Sequence, residues 1–186
     1  MRRISVVGTS GSGKTTVARR LAGRLGVPHV ELDALFHGPG WQPADANAFL
    51  AAVDDATSVA GWVADGNYRA VVGEGPVWAR ADTVVWLDLP RAVVMRQVVW
   101  RTLRRALRRE ELWNGNREPV LGLLRWDPER SVVRWAWTTF DERRQRLEEA
   151  MAAPSCAHLT FVRLRSRAEI EAFLAGAEVG RAATGE

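Results

Sequence analysis

Lysine is almost missing from this chain: Lys14 is the only one, against twenty-five arginines. The single cysteine, Cys156, excludes an internal disulfide and suits a reducing cytoplasm. Three histidines, His29, His37 and His158, make no metal-ligand pattern. No apolar run approaches the ~20 residues of a membrane span. The apolar stretch after Met1-Arg2-Arg3 is cut short by glycines, which predicts no secretory leader. What is present is a chain 47% hydrophobic and 26% charged, the balance of one ordinary globular domain. Its net charge of +4 would suit nucleic acid or a polyphosphate substrate. A general preference for Arg over Lys accounts for the high pI without any partner.

The lone lysine stands in Gly8-Thr9-Ser10-Gly11-Ser12-Gly13-Lys14-Thr15, which fits the phosphate-binding pattern G-x-x-x-x-G-K-[ST]. Arg is a wide planar fork, whereas Lys is a point charge on a thin stem that can thread a glycine loop. Ile4-Ser5-Val6-Val7 before the loop reads as a buried strand. Thr15 to Leu25 after it reads as an amphipathic helix on Val17, Leu21 and Leu25, closed by Gly26. In that arrangement the loop amides and the helix N-terminus face phosphate oxygens. Gly8 through Thr16 are therefore the predicted nucleotide-binding residues. Lys14 is expected on the β- and γ-phosphates and the Thr15 hydroxyl on Mg²⁺.

Further strands are predicted at His29–Asp33, Gly61–Gly66, Thr83–Asp88 and Leu159–Leu164. Helices are predicted at Asp45–Thr57, Asn67–Arg80, Arg91–Arg109 and Glu129–Met151, with a last one capped by Ser166 and Glu169. Alternating strands and helices imply a five-stranded parallel sheet covered on both faces. The fold class expected is α/β, a three-layer sandwich of P-loop NTPase type. One domain should occupy residues 1–176, followed by a flexible tail at 177–186.

Ligands of open α/β sheets bind beyond the carboxyl ends of the strands. Asp33, Asp65 and Asp88 end three predicted strands. Asp65 is expected to hold Mg²⁺ through water, with Asp88 as the alternative. On the Arg91–Arg109 helix, Met95, Val99, Leu103 and Ala106 form one predicted apolar stripe. Arg101, Arg104, Arg105 and Arg108 cluster opposite it, where they repel unless an anion neutralises them. Arg117, Arg125, Arg130 and Arg134 lie beyond the Asn114-Gly115-Asn116 loop. Arginine-rich helices joined by a loop suit a lid over a triphosphate. Of nine tryptophans, Trp62 and Trp86 are assigned to the core. Trp41, in the Gly-Pro loop after Asp33, is placed to border an acceptor pocket.

Four segments together resemble the adenylate-kinase-like branch of P-loop kinases, and within it the DNA topology modulation proteins. They are Gly8–Thr15; Glu31-Leu32-Asp33-Ala34-Leu35-Phe36 with Gly40-Trp41; Trp62-Val63-Ala64-Asp65-Gly66-Asn67-Tyr68; and Ala81–Arg91. The resemblance implies a nucleoside-monophosphate-kinase-type fold with an acceptor flap near 34–60 and a helical lid near 101–134. It implies ATP and Mg²⁺ as cofactors and phosphoryl transfer to a nucleoside monophosphate or a small alcohol. Asp65-Gly66-Asn67-Tyr68-Arg69 matches a D-G-x-x-R pattern whose Arg holds an acceptor phosphate, so Arg69 is carried over. Arg101 and Arg105 match the R-x-x-x-R spacing of lid-hinge arginines that close on the migrating phosphoryl group. Asp33 departs from adenylate kinases and is similar to the Asp that holds an acceptor hydroxyl in shikimate kinases. Arg69 thus points to a phosphorylated acceptor and Asp33 to an alcohol. A monomer or homodimer is expected, without membrane association. A nucleic-acid-associated ATPase or regulator is the second reading, not favoured because no nucleic-acid-binding motif is present.

Overall fold

The computed structural model describes residues 1–73, 75–108, 111–116 and 132–177. Among the described residues are five strands: β1 (Arg3–Gly8), β2 (His29–Glu31), β3 (Trp62–Asp65), β4 (Thr83–Leu87) and β5 (Thr160–Leu164). They form one parallel sheet in the order β2-β3-β1-β4-β5. Successive strand residues point to opposite faces. Ile4, Val6, Val63, Val85 and Leu87 join the core on one face. Val7, Trp62, Ala64, Val84 and Trp86 join the core on the other. Both faces are therefore apolar and both are covered, as parallel sheets require. With a glycine-rich loop following the central strand β1, the fold is the expected α/β sandwich of P-loop NTPase type.

The helices are α1 (Lys14–Leu25), α2 (Leu32–Phe36), α3 (Ala46–Ala56), α4 (Pro76–Arg80), α5 (Arg91–Arg108), α6 (Val132–Thr138), α7 (Phe140–Ala152) and α8 (Arg167–Gly176). Gly26 closes α1 in the left-handed conformation at φ 64°, as predicted. Ser166 caps α8 by accepting from the Glu169 amide at 3.1 Å. Trp62 and Trp86 are buried as expected. Trp78 is buried too, and its indole donates to Ser5 Oγ at 3.1 Å.

Several boundaries differ from expectation. The strand through Asp33 stops at Glu31, and Asp33 sits in the first turn of α2. The helix expected at Asn67–Arg80 shrinks to Pro76–Arg80, since Gly73, Gly75 and Pro76 break the segment before it. The helix expected at Glu129–Met151 is two helices meeting at Thr139. Thr138 and Thr139 hydroxyls donate to the Arg134 and Trp135 carbonyls at 3.1 and 2.7 Å, a bonding pattern that bends helices. Ala177, assigned to the tail, is buried in the core. The rest of the expected tail, 178–186, lies outside the described residues, as do 109–110 and 117–131 of the expected lid. No helix among the described residues is long and apolar enough to cross a membrane.

Helix α5 also turns a different face inward. Val94, Val98 and Thr102 are its buried stripe, while Val99, Leu103 and Leu107 are exposed. The cause is its partner. A Cβ on Gly11 would stand 2.1 Å from Val98 Cγ2, so the helix docks directly on the glycine loop. That docking rotates Arg101 and Arg105 toward the loop.

Candidate functional site

The loop between β1 and α1 is shaped by glycines that no other residue could replace cheaply. Gly8, Gly11 and Gly13 have φ of 146°, 85° and 94°. A Cβ on Gly8 would meet the Leu87 carbonyl at 2.7 Å and Ser12 Oγ at 2.9 Å. Above Gly13 the space is open, with nothing within 4 Å of such an atom. Gly13 is the N-cap of α1 and, having no side chain, gives the first-turn amides no side-chain cap. Those amides point out of the helix end with a partial positive charge. The buried Ser12 Oγ beside them also has no hydrogen-bond partner. An uncapped helix end, an orphaned hydroxyl and a glycine-lined opening fit a phosphate group.

Lys14 Nζ folds back over the loop and donates to the Gly8 and Thr9 carbonyls at 2.9 and 3.2 Å. Burial lowers its pKa to about 8, against the opposing pull of Asp33 and then Asp65. Asn67 clamps the loop entry, its amide donating to the Gly8 carbonyl at 2.7 Å.

Asp65 ends β3 opposite Val6 of β1 and Glu31 of β2. Its carboxylate is buried and used on both oxygens. Oδ2 accepts from Thr15 Oγ1 at 2.6 Å, and Oδ1 lies 2.8 Å from His29 Nε2. Asp65 thus sits behind Thr15. No cluster of three His, Cys, Asp or Glu side chains suited to a metal exists among the described residues. The Thr15 hydroxyl and Asp65 carboxylate are oxygen donors that fit Mg²⁺, which keeps most of its waters and takes one or two protein ligands. Asp88, the alternative, is taken up elsewhere. Arg163 Nε donates to it at 2.8 Å and Arg144 lies at 3.4 Å, while Arg163 also stacks on Trp86.

The P-loop residues Ser10 to Thr16 line a cleft of about 950 Å³ together with Glu31, Asp33, Arg101, Arg104 and Arg105. The arginine cluster read as an exposed face therefore borders the phosphate loop. Of the other arginines expected in the lid, Arg134 is in α6; Arg117, Arg125 and Arg130 lie outside the described residues. Asp33 accepts from Tyr68 Oη at 2.7 Å, and His37 Nε2 lies 3.4 Å from the same hydroxyl. Burial and then the Asp33 charge push the Tyr68 pKa upward, so the phenol remains a donor. Glu31 is also shifted upward, by burial and then Asp65, although the Trp113 indole bonds it.

Arg69 is not in this cleft. It lines a second cavity, of about 550 Å³, with Gly8, Asn67, Arg143 and Arg146 over an apolar floor that includes Trp78 and Leu147. Arg143 joins the two spaces electrostatically. It lies near enough to Lys14 to lower that pKa, and it interacts with Asp33. Its own pKa is lowered by burial and then by Arg146, and its guanidinium stacks 4.1 Å from the Trp135 ring centroid. Sequence reasoning missed Arg143, His29, Asn67 and Tyr68. Arg143 had a signal: Phe140, Arg143, Leu147 and Ala150 fall on one stripe of α7, an arginine in an otherwise apolar row.

No protein-family model matches this chain, and no curated protein matches it. The resemblance to DNA topology modulation proteins therefore stands on its residues alone. Among solved structures, a shikimate kinase from Bacteroides thetaiotaomicron is 18% identical, over 94% of each chain, with a TM-score of 0.49. A gluconokinase from Sinorhizobium meliloti 1021 is 20% identical, over 94% of this chain and 91% of its own, with a TM-score of 0.49. The fold assignment rests on sheet order and loop geometry, which are independent of both.

Proposed function

We propose that this chain is an ATP- and Mg²⁺-dependent phosphotransferase acting on a small anionic alcohol or a nucleotide. The observation that carries the reading is the Thr15–Asp65 hydrogen bond at the mouth of an uncapped α1. It joins a phosphate-binding helix end to a strand-end carboxylate, the two parts a nucleotide–metal site needs. Thr15 and Asp65 would hold Mg²⁺, which would supply charge neutralisation on the phosphates. Gly8 to Thr16 bind the donor, with Lys14 leaving the Gly8 and Thr9 carbonyls for phosphate oxygens. Arg101 and Arg105 stabilise the migrating phosphoryl group from the opposite wall. They would belong to a lid, with residues near 34–60 forming the acceptor flap.

The conflict between Asp33 and Arg69 dissolves if they serve different ends of one acceptor. Asp33 accepts the proton of the attacking hydroxyl, while Arg69, Arg143 and Arg146 hold an anionic group. The two-cavity arrangement supports this division. Arg101, Arg104 and Arg105 line the same cleft as the P-loop, which supports a role on nucleotide phosphates rather than on a nucleic-acid backbone.

The test is ADP release with Mg·ATP across nucleoside monophosphates, carboxylate-bearing alcohols and sugar phosphates. At least one should raise turnover well above the water-only rate, and Lys14→Ala should abolish it with the fold retained. Equal ATP turnover in wild type and Lys14→Ala would sink the assignment.

A further inference from the structure

The Asn114-Gly115-Asn116 turn that follows α5 is stitched to the loop carrying His37 and Trp41. Asn116 is buried, and both ends of its amide are used. Its Oδ1 accepts the Trp41 N–H at 2.9 Å, and its Nδ2 donates to the Gly38 carbonyl at 2.9 Å. Asn114 Nδ2 donates to the His37 carbonyl at 2.5 Å. The Trp113 ring stacks on His37 with centroids 5.9 Å apart and meets Trp41 edge-on at 6.3 Å. The held backbone is strained, since Trp41 has φ 61°, a region bulky residues avoid. Such strain persists only where surrounding contacts over-determine it. From His37 the contacts continue to Tyr68 and on to Asp33. On the other side, the same turn follows the helix that carries Arg101 and Arg105.

We propose that Asn116 is a positioning residue that clasps the acceptor flap to the arginine-bearing arm, so that nucleotide in the P-loop cleft tightens the flap around Asp33. The inference rests on the donor-site reading above. Arg101 and Arg105 are drawn toward bound phosphates, the arm moves with them, and Asn116 transmits that movement to the Gly38 and Trp41 backbone. Without Asn116 the two arms respond separately.

Amide hydrogen exchange tests this without knowledge of the acceptor, using Mg²⁺ with the non-hydrolysable analogue AMP-PNP. In ligand-free protein, Asn116→Ala should speed exchange of residues 38–44 about tenfold, the effect of losing a buried hydrogen-bonded pair. In wild type the nucleotide should slow exchange both in the P-loop and in residues 38–44. In Asn116→Ala it should slow only the P-loop. Asn116→Ser, a gentler change, should give an intermediate response, and unchanged protection of β1 and β4 amides reports an intact fold. A flap response in Asn116→Ala equal to wild type overturns the clasp. If wild-type P-loop amides do not respond at all, the donor-site reading fails instead. The clasp is then decided by ligand-free exchange, where equal flap rates in wild type and Asn116→Ala overturn it.

Discussion

The hydroxyl of Thr15 donates to Asp65 Oδ2 at 2.6 Å while His29 holds the other carboxylate oxygen at 2.8 Å. Asp65 is therefore fixed in direction, and Thr15 is fixed against it. In Thr15→Ala and Asp65→Asn, Mg²⁺-dependent nucleotide affinity should fall by about 10- to 100-fold, the scale of lost metal-site partners. Affinity measured with EDTA should change far less. Calorimetric titration with and without Mg²⁺ separates the two, and equal losses in both would argue against a metal role.

Asp88 provides the contrast. Its partners are Arg163 and Arg144, and its side chain is 5% exposed. Removing it as Asp88→Ala leaves a partly buried guanidinium without its main counter-charge and should cost about 3 kcal/mol of stability. The Mg²⁺ response of nucleotide binding should be unchanged. Denaturant unfolding and the same calorimetric titration check the two halves.

Gly11 tests the docking of α5 on the loop. Gly11→Ala places a methyl 2.1 Å from Val98 Cγ2 at a backbone φ of 85°. Stability should fall by about 1–3 kcal/mol from crowding, plus about 1–2 kcal/mol from the left-handed backbone. Adding Val98→Ala should relieve the crowding and leave the backbone cost. A double variant no more stable than the sum of the singles would refute the contact.

The lowered Lys14 pKa has a definite sign. The folded value, about 8, lies below the ordinary 10.5, so between these pH values the unfolded chain binds more protons. Stability should therefore rise with pH across that window, because the charged, buried ammonium is a penalty present in full below pH 8. Lys14→Met should remove this slope. Nucleotide affinity should move the opposite way, weakening above pH 8 as the free enzyme loses the charge that phosphate needs. Unfolding at several pH values and nucleotide titrations read both.

Arg143 should matter to the acceptor and not to the donor. Arg143→Ala should raise the acceptor KM by about 10- to 100-fold, the loss of a charged hydrogen bond. Donor affinity should stay within about threefold of wild type. Steady-state kinetics on whichever acceptor the turnover screen finds will decide.

Local chemistry made parts of this molecule readable in advance. The P-loop is contiguous, so glycine spacing, Lys14 and Thr15 can be recognised without knowing what surrounds them. Asp65 was readable because a short apolar strand ends on it. Asp33 was harder, because Leu32 packs against Gly66 and turns the chain into α2 before the strand can continue. The buried face of α5 was misread, since hydrophobic periodicity finds a stripe but cannot say what stands against it. Once Val98 sits on Gly11, Arg101 and Arg105 border the cleft and Leu103 and Leu107 face out.

The five strands, the helix after the glycine loop, and the loop with its lysine were determined by the sequence alone. Each depends on residues a few positions apart, where glycine conformation and side-chain period dominate. Only the tertiary structure decided that Arg69 and Asp33 occupy separate cavities, that Arg143 lines the first and interacts with Asp33 of the second, that His29 orients Asp65 and that Asn116 binds the Gly38 and Trp41 backbone. Those relationships join residues 36 to more than 75 positions apart. Sheet register and helix docking set such distances, and no local pattern encodes them.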